Sequence, residues 1–149
     1  MVARATQSLS SFNLDYADGT VSDVEVNGRD AAYLLEGQEL VITPRRALPK
    51  GRRFVVKVDF VGGPDVPVDE LPFGWFTTVD GSVTAGQPDR GHWIYPVNDH
   101  PVDKATYTIK LDVPEGLTAA ASLRQATSMS CSARTSTTVA RSCSMRCVR

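Results

Sequence analysis

Up to Ser130 the chain contains no cysteine; its three cysteines, Cys131, Cys143 and Cys147, all lie close to the C-terminus. An odd count, no Cys-x-x-Cys pair and no neighbouring histidine argue against both a disulfide framework and a thiolate zinc site. Histidine is scarce too, with only His92 and His100. Nowhere does the sequence read His-Glu-x-x-His, so it lacks the paired imidazoles and adjacent glutamate with which a zinc hydrolase activates water. There is also no Gly-x-Ser-x-Gly elbow for a serine nucleophile. Charge of one sign is not in excess: the net charge is −1, which argues against a nucleic-acid partner. No apolar run approaches the roughly 18 residues of a membrane-spanning helix, so no membrane partner is expected. Met1 to Ser8 carries one basic residue, Arg4, and no apolar stretch follows it. It does not read as a secretory signal, and a cytoplasmic location is expected.

The near-zero net charge conceals a division. Leu123 to Arg149 holds five arginines and no acidic residue; removing those five from 16 basic residues leaves 11 against 17 acidic, a net charge of −6 for the body. The body alternates apolar and polar residues between turn signals, the pattern of an antiparallel all-β domain. Phe12, Leu14 and Tyr16 alternate with Asn13 and Asp15 before Asp18-Gly19. Val24 and Val26 lead into Asn27-Gly28, a strong hairpin signal because both central residues tolerate positive φ. Tyr33 to Leu35 runs to Glu36-Gly37, Leu40 to Ile42 follows, and Pro44 ends that strand for want of an N–H. Phe54, Val56, Val58 and Phe60 share one face of the next strand. Val61 to Pro72 reads as a loop. Phe73 to Thr78 and Val83 to Ala85 flank an Asp80-Gly81 turn, Gln87 to Asp103 is irregular, and Ala105 to Val113 is the last patterned strand. Beyond Ser122 no period of 2 or 3.6 survives, and a tail of Ser, Thr, Ala and Arg cannot bury enough apolar surface to offset the entropy of ordering it.

Few clusters suggest chemistry. His92, Asp99 and His100 lack metal-motif spacing and read as loop residues making local hydrogen bonds. Phe73, Trp75, Phe76, Trp93 and Tyr95 fit packing between elements, or a stacking platform for a sugar. Arg45-Arg46 and Lys50 to Arg53 flank a turn as solvated charges, with no interleaved aromatics for stacking on bases.

One stretch is more specific. Ala85-Gly86-Gln87-Pro88, Trp93 to Pro101 with Asn98-Asp99-His100-Pro101, then Lys104, Thr106-Tyr107 and Val113-Pro114-Glu115-Gly116-Leu117 stand in a fixed order. That order resembles the N-terminal domain of the aminopeptidase N family of zinc metallopeptidases, in which a Gln or Glu loop precedes a Pro-Cys-x-Asp-x-Pro turn. Val97 stands where that family usually has cysteine, a mild change because a buried cysteine acts mainly as a small hydrophobe. The resemblance implies a saddle-like antiparallel β-sandwich over residues 1–121, incomplete, and the break in composition after it marks 122–149 as an expected disordered and frameshifted tail. By the same resemblance Gln87 contacts the free α-amino group of a peptide substrate, while zinc belongs to a catalytic domain that is missing here. The chain itself is expected to hold no cofactor and to be inactive alone. The alternative is a free-standing β-sandwich that binds a protein or carbohydrate through its aromatic loop.

Overall fold

A computed structural model describes residues 1–17, 19–62, 74–79, 81–85, 90–100, 105–120 and 143–148. Within them the strands are β1 (Val2–Arg4), β2 (Phe12–Asp15), β3 (Thr20–Val26), β4 (Ala32–Glu36), β5 (Glu39–Thr43), β6 (Arg53–Val61), β7 (Gly74–Thr78), β8 (Gly81–Ala85), β9 (Thr106–Leu111) and β10 (Cys143–Val148). They form a five-stranded sheet in the order β3-β6-β1-β10-β9, a three-stranded sheet β2-β5-β4 and the hairpin β7-β8. All pairings are antiparallel except that of β1 with β10, at Val2 and Val148. The only helical element among the described residues is a short 3-10 turn, Gly91–Trp93, and no helix among them is long and apolar enough to cross a membrane.

Alternation decides which residues meet. Leu14 and Tyr16 beside Leu40 and Ile42 line the smaller sheet; Val24, Val26, Phe54 and Val56 line the larger one, and all eight belong to one buried cluster with Ala5, Ala31 and Leu48. Each large apolar side chain buried in this way contributes about 1.5–3 kcal/mol before the entropy of ordering is counted. Ring contacts link the layers, Phe12 to Phe54 tilted at 5.3 Å and Tyr16 to Phe60 edge-on at 5.5 Å between centroids. This is the all-β antiparallel sandwich that the alternation predicts.

Two turns set the chain's route. At Asn27-Gly28 both φ angles are positive (53° and 70°), and Val26 and Arg29 exchange main-chain hydrogen bonds of 2.8 and 3.2 Å. The Asn27 Oδ1 also accepts a 2.9 Å bond from the Val55 N–H, tying the turn to β6. Gly19, at φ 107°, crosses from one sheet to the other so tightly that a Cβ would strike the Val61 carbonyl and the Tyr16 hydroxyl.

On the outer face of β3 and β6, Lys57 Nζ stands 2.8 Å from Asp59, 3.3 Å from Glu25 and 3.7 Å from Asp23. Hydrogen bonds to Asp59 first and Glu25 second hold its ammonium well above the ordinary lysine range.

The structure departs from the sequence reading in one place. The Asn27-Gly28 turn does not launch a long hairpin: after one bridge, Glu25 to Asp30, the chain changes sheet, so β3 pairs with β6 and β4 with β5. Within the tail, Cys143–Val148 pairs with the whole of β9. The physical reason is that an open strand edge bonds main-chain groups whatever the side-chain period. Residues 121–142, Gln87, Lys104 and most of the loop expected over 61–72 lie outside the described residues, as do the side chains of Trp75 and Phe76.

Candidate functional site

The irregular segment that follows Gln87 is latched to the end of β2. Asp15 and Val97 exchange main-chain hydrogen bonds of 2.7 and 3.0 Å, and the Ala17 N–H donates to the His92 carbonyl at 2.9 Å. Val97 is buried, so the position where the aminopeptidase N family usually has cysteine does serve here as a small hydrophobe.

Two carboxylates organise the rest. Asp99 Oδ2 accepts the His92 main-chain N–H at 3.1 Å and lies 2.6 Å from His92 Nδ1, which donates because an ionised carboxylate can only accept. The Asp99 N–H donates in turn to Asp15 Oδ2 at 2.7 Å. Both side chains of the His92–Asp99 pair are mostly buried, so little water competes for these bonds. Gly91 completes the packing, since a Cβ there would sit 3.1 Å from Asp99 Oδ1. The His92 ring lies 5.7 Å from that of Trp93, whose buried Nε1 has no hydrogen-bond partner among the described residues. Tyr95 meets Tyr107 of β9 edge-on at 6.4 Å, linking the segment to the larger sheet.

Sequence reasoning placed His92 and Asp99 in one loop and gave them local hydrogen bonds; the structure pairs them across seven residues. Asp15 was missed. In an alternating strand it looks like any outward polar residue, and only the docking of a distant loop reveals it as an acceptor. Gln87, the residue implied to touch substrate, lies outside the described residues, three positions before Arg90.

A catalytic zinc needs three protein ligands converging on one point. Among the described residues no three His, Cys, Asp or Glu side chains do so, and His92 Nδ1 is already engaged by Asp99. The donor set among the described residues does not fit that metal. What the arrangement can do is hold a loop rigidly at one end of the sandwich.

No family model matches the chain. Leukotriene A-4 hydrolase of Xenopus laevis is 31% identical over 128 residues, covering 75% of this chain and 20% of that enzyme. The M1 zinc metallopeptidase of Deinococcus radiodurans superposes with a TM-score of 0.61 at 27% identity, over 68% of this chain and 24% of its own. A two-domain M1 zinc metallopeptidase variant bound to L-tryptophan matches with a TM-score of 0.61 at 26% identity and the same coverage. The chain thus spans about a fifth to a quarter of the relatives it matches. Matched in sequence to one M1 enzyme and in backbone to others, this β-sandwich is similar to the N-terminal domain of the M1 zinc metallopeptidases.

Proposed function

We propose that this domain is the non-catalytic amino-terminal part of a cytoplasmic zinc aminopeptidase, and that Gln87 binds the free α-amino group of the peptide. The carrying observation is the backbone likeness to M1 metallopeptidases over 68% of the chain; beside it, the sequence order of Gln87 and the Asn98-Asp99-His100-Pro101 turn resembles that of the family. One of those relatives is the Deinococcus enzyme variant bound to a Tyr-Ser-Ala substrate, similar with a TM-score of 0.59. The chain's sequence holds no His-Glu-x-x-His. The zinc and its activated water therefore belong to another part of the enzyme, and this chain alone hydrolyses nothing.

The chemistry asked of Gln87 is modest. Its side-chain oxygen accepts a charge-assisted hydrogen bond from the substrate ammonium and so selects which end of the peptide enters. Such a bond is worth about 1.5–3 kcal/mol, or roughly 10- to 150-fold in kcat/KM. The test is to fuse the sandwich to the remainder of the Deinococcus enzyme and compare Gln87→Ala with the parent fusion. A loss of that size on peptides with free N-termini, absent for N-blocked ones, is expected. Equal kinetics for both substrate types would remove Gln87 from the role.

A further inference from the structure

The edge strand β4 carries an exposed apolar surface, of which the Tyr33 hydroxyl is tied back to the sandwich, donating to the Val21 carbonyl at 3.1 Å. Its five residues, Ala32-Tyr33-Leu34-Leu35-Glu36, are all exposed, with Tyr33 at 39%, Leu34 at 55% and Leu35 at 36%. Among the described residues β4 pairs only with β5, and none of them pairs with its other side. Edge strands are usually protected by lysine, proline, a bulge or a covering segment. β4 has none of the first three: it contains no lysine or proline, and its register with β5 is unbroken.

The register shows which main-chain groups are free. Glu36 and Glu39 close a two-residue turn and form the hydrogen-bonded pair beside it; Leu34 with Val41 and Ala32 with Thr43 are bonded pairs likewise. The N–H and C=O groups of Tyr33 and Leu35 therefore point away from β5. Their side chains share a face with Ile42 and Leu40, both fully buried, so the apolar row of the core runs on past β5 and ends at this edge.

We infer that β4 is a self-association surface, at which the β4 strands of two copies of this chain pair antiparallel about a two-fold axis through Leu34. Three features single out a second copy as the occupant. Centring the pair on Leu34 sets Tyr33 of each copy opposite Leu35 of the other, where the free groups form about four main-chain hydrogen bonds. It sets Leu34 against Leu34 at a non-bonded position, the closer of the two spacings and suited to an apolar pair. It also sets the strand's one charge, Glu36, opposite Ala32 rather than opposite itself, so no like charges meet. The result is a continuous six-stranded sheet, β2-β5-β4 followed by the same strands of the second copy in reverse, in which one face of each copy extends the other's apolar row. This inference is independent of the peptidase reading, since it uses neither Gln87 nor the 90–100 segment.

The experiment is sedimentation velocity on the full chain over a hundredfold concentration range, beside Leu34→Lys. The parent chain is expected to shift from monomer to dimer, and the variant, which would bring two ammonium groups together at the closest pair, to remain monomeric with an unchanged far-ultraviolet spectrum. A second arm does not depend on that variant folding. With the three native cysteines changed to serine, Leu34→Cys should form a disulfide-linked dimer on mild oxidation, whereas Glu36→Cys should not, because its partner position is Ala32. A monomer at every concentration, association unaffected by Leu34→Lys, or equal cross-linking at positions 34 and 36 would each overturn the inference.

Discussion

Replacing Asp99 by alanine probes the latch that holds the 90–100 segment on β2. The substitution removes the acceptor of two hydrogen bonds, 3.1 Å from the His92 main-chain N–H and 2.6 Å from its ring. The second is charge-assisted, and a bond of that kind contributes about 1.5–3 kcal/mol. Asp99 keeps 19% side-chain exposure, so water re-solvates part of what is lost and the net cost should be about 1.5–2.5 kcal/mol. For a chain of this size that lowers Tm by roughly 3–10 °C. Urea unfolding followed by tryptophan fluorescence measures the loss directly, with an unchanged m-value expected because the same surface is exposed. A double-mutant cycle with His92→Ala should return a coupling of about 1 kcal/mol or more. Amide exchange adds a local readout: the Ala17 and Val97 N–H groups, which bond across the latch, should exchange faster while Val56 in the core does not. A loss below about 0.5 kcal/mol, with exchange at Ala17 and Val97 unaltered, would refute the reasoning.

Other expectations follow from the packing. Gly19→Ala should destabilise by about 2–4 kcal/mol, combining strain at positive φ with a collision against Val61 and Tyr16; an unchanged urea midpoint would contradict the tight crossing between sheets. Lys57 has its folded pKa raised, so the stability it adds is fully present below the unfolded value near 10.5 and is lost as pH climbs above it. The Tm difference between the parent and Lys57→Met should therefore hold steady from neutral pH to pH 10 and shrink only beyond, and a difference that vanishes by pH 9 would count against the three-carboxylate cluster. Deleting residues 122–149 should leave the unfolding free energy within about 0.5 kcal/mol, because the buried cluster, among the residues whose side chains are described, runs from Ala5 to Val56; a larger loss would make β10 an integral strand.

The strands and their inward faces were legible in the sequence because period-2 alternation and turn chemistry are local signals. Leu14, Tyr16, Val24, Val26, Leu40, Ile42, Phe54 and Val56 all stand at the alternating positions that predict burial. Pairing was less legible. Asn27-Gly28 specifies a turn but not the distance over which the flanking strands stay together, and which sheet β4 joins depends on contacts remote in sequence. Asp15 shows the same limit, since its carboxylate acquires a role only when a segment 84 positions away docks against it. The strand β10 carries no pattern at all, its register following from the main chain of β9. The ordered set from Gln87 to Leu117 was legible in another way, pointing to the M1 family through residue identities rather than periodicity.

We propose above that this sandwich serves as the amino-terminal domain of a zinc aminopeptidase whose catalytic centre lies elsewhere. The most direct test of that proposal is the fusion of residues 1–121 to the Deinococcus M1 enzyme stripped of its own matching region, assayed on an aminoacyl chromogenic substrate with zinc content measured in parallel. The account predicts that the fused enzyme regains chelator-sensitive hydrolysis, that the stripped enzyme shows little, and that the sandwich alone shows none. A fusion that folds and holds stoichiometric zinc yet stays as slow as the stripped enzyme, or hydrolysis by the purified sandwich alone, would contradict it.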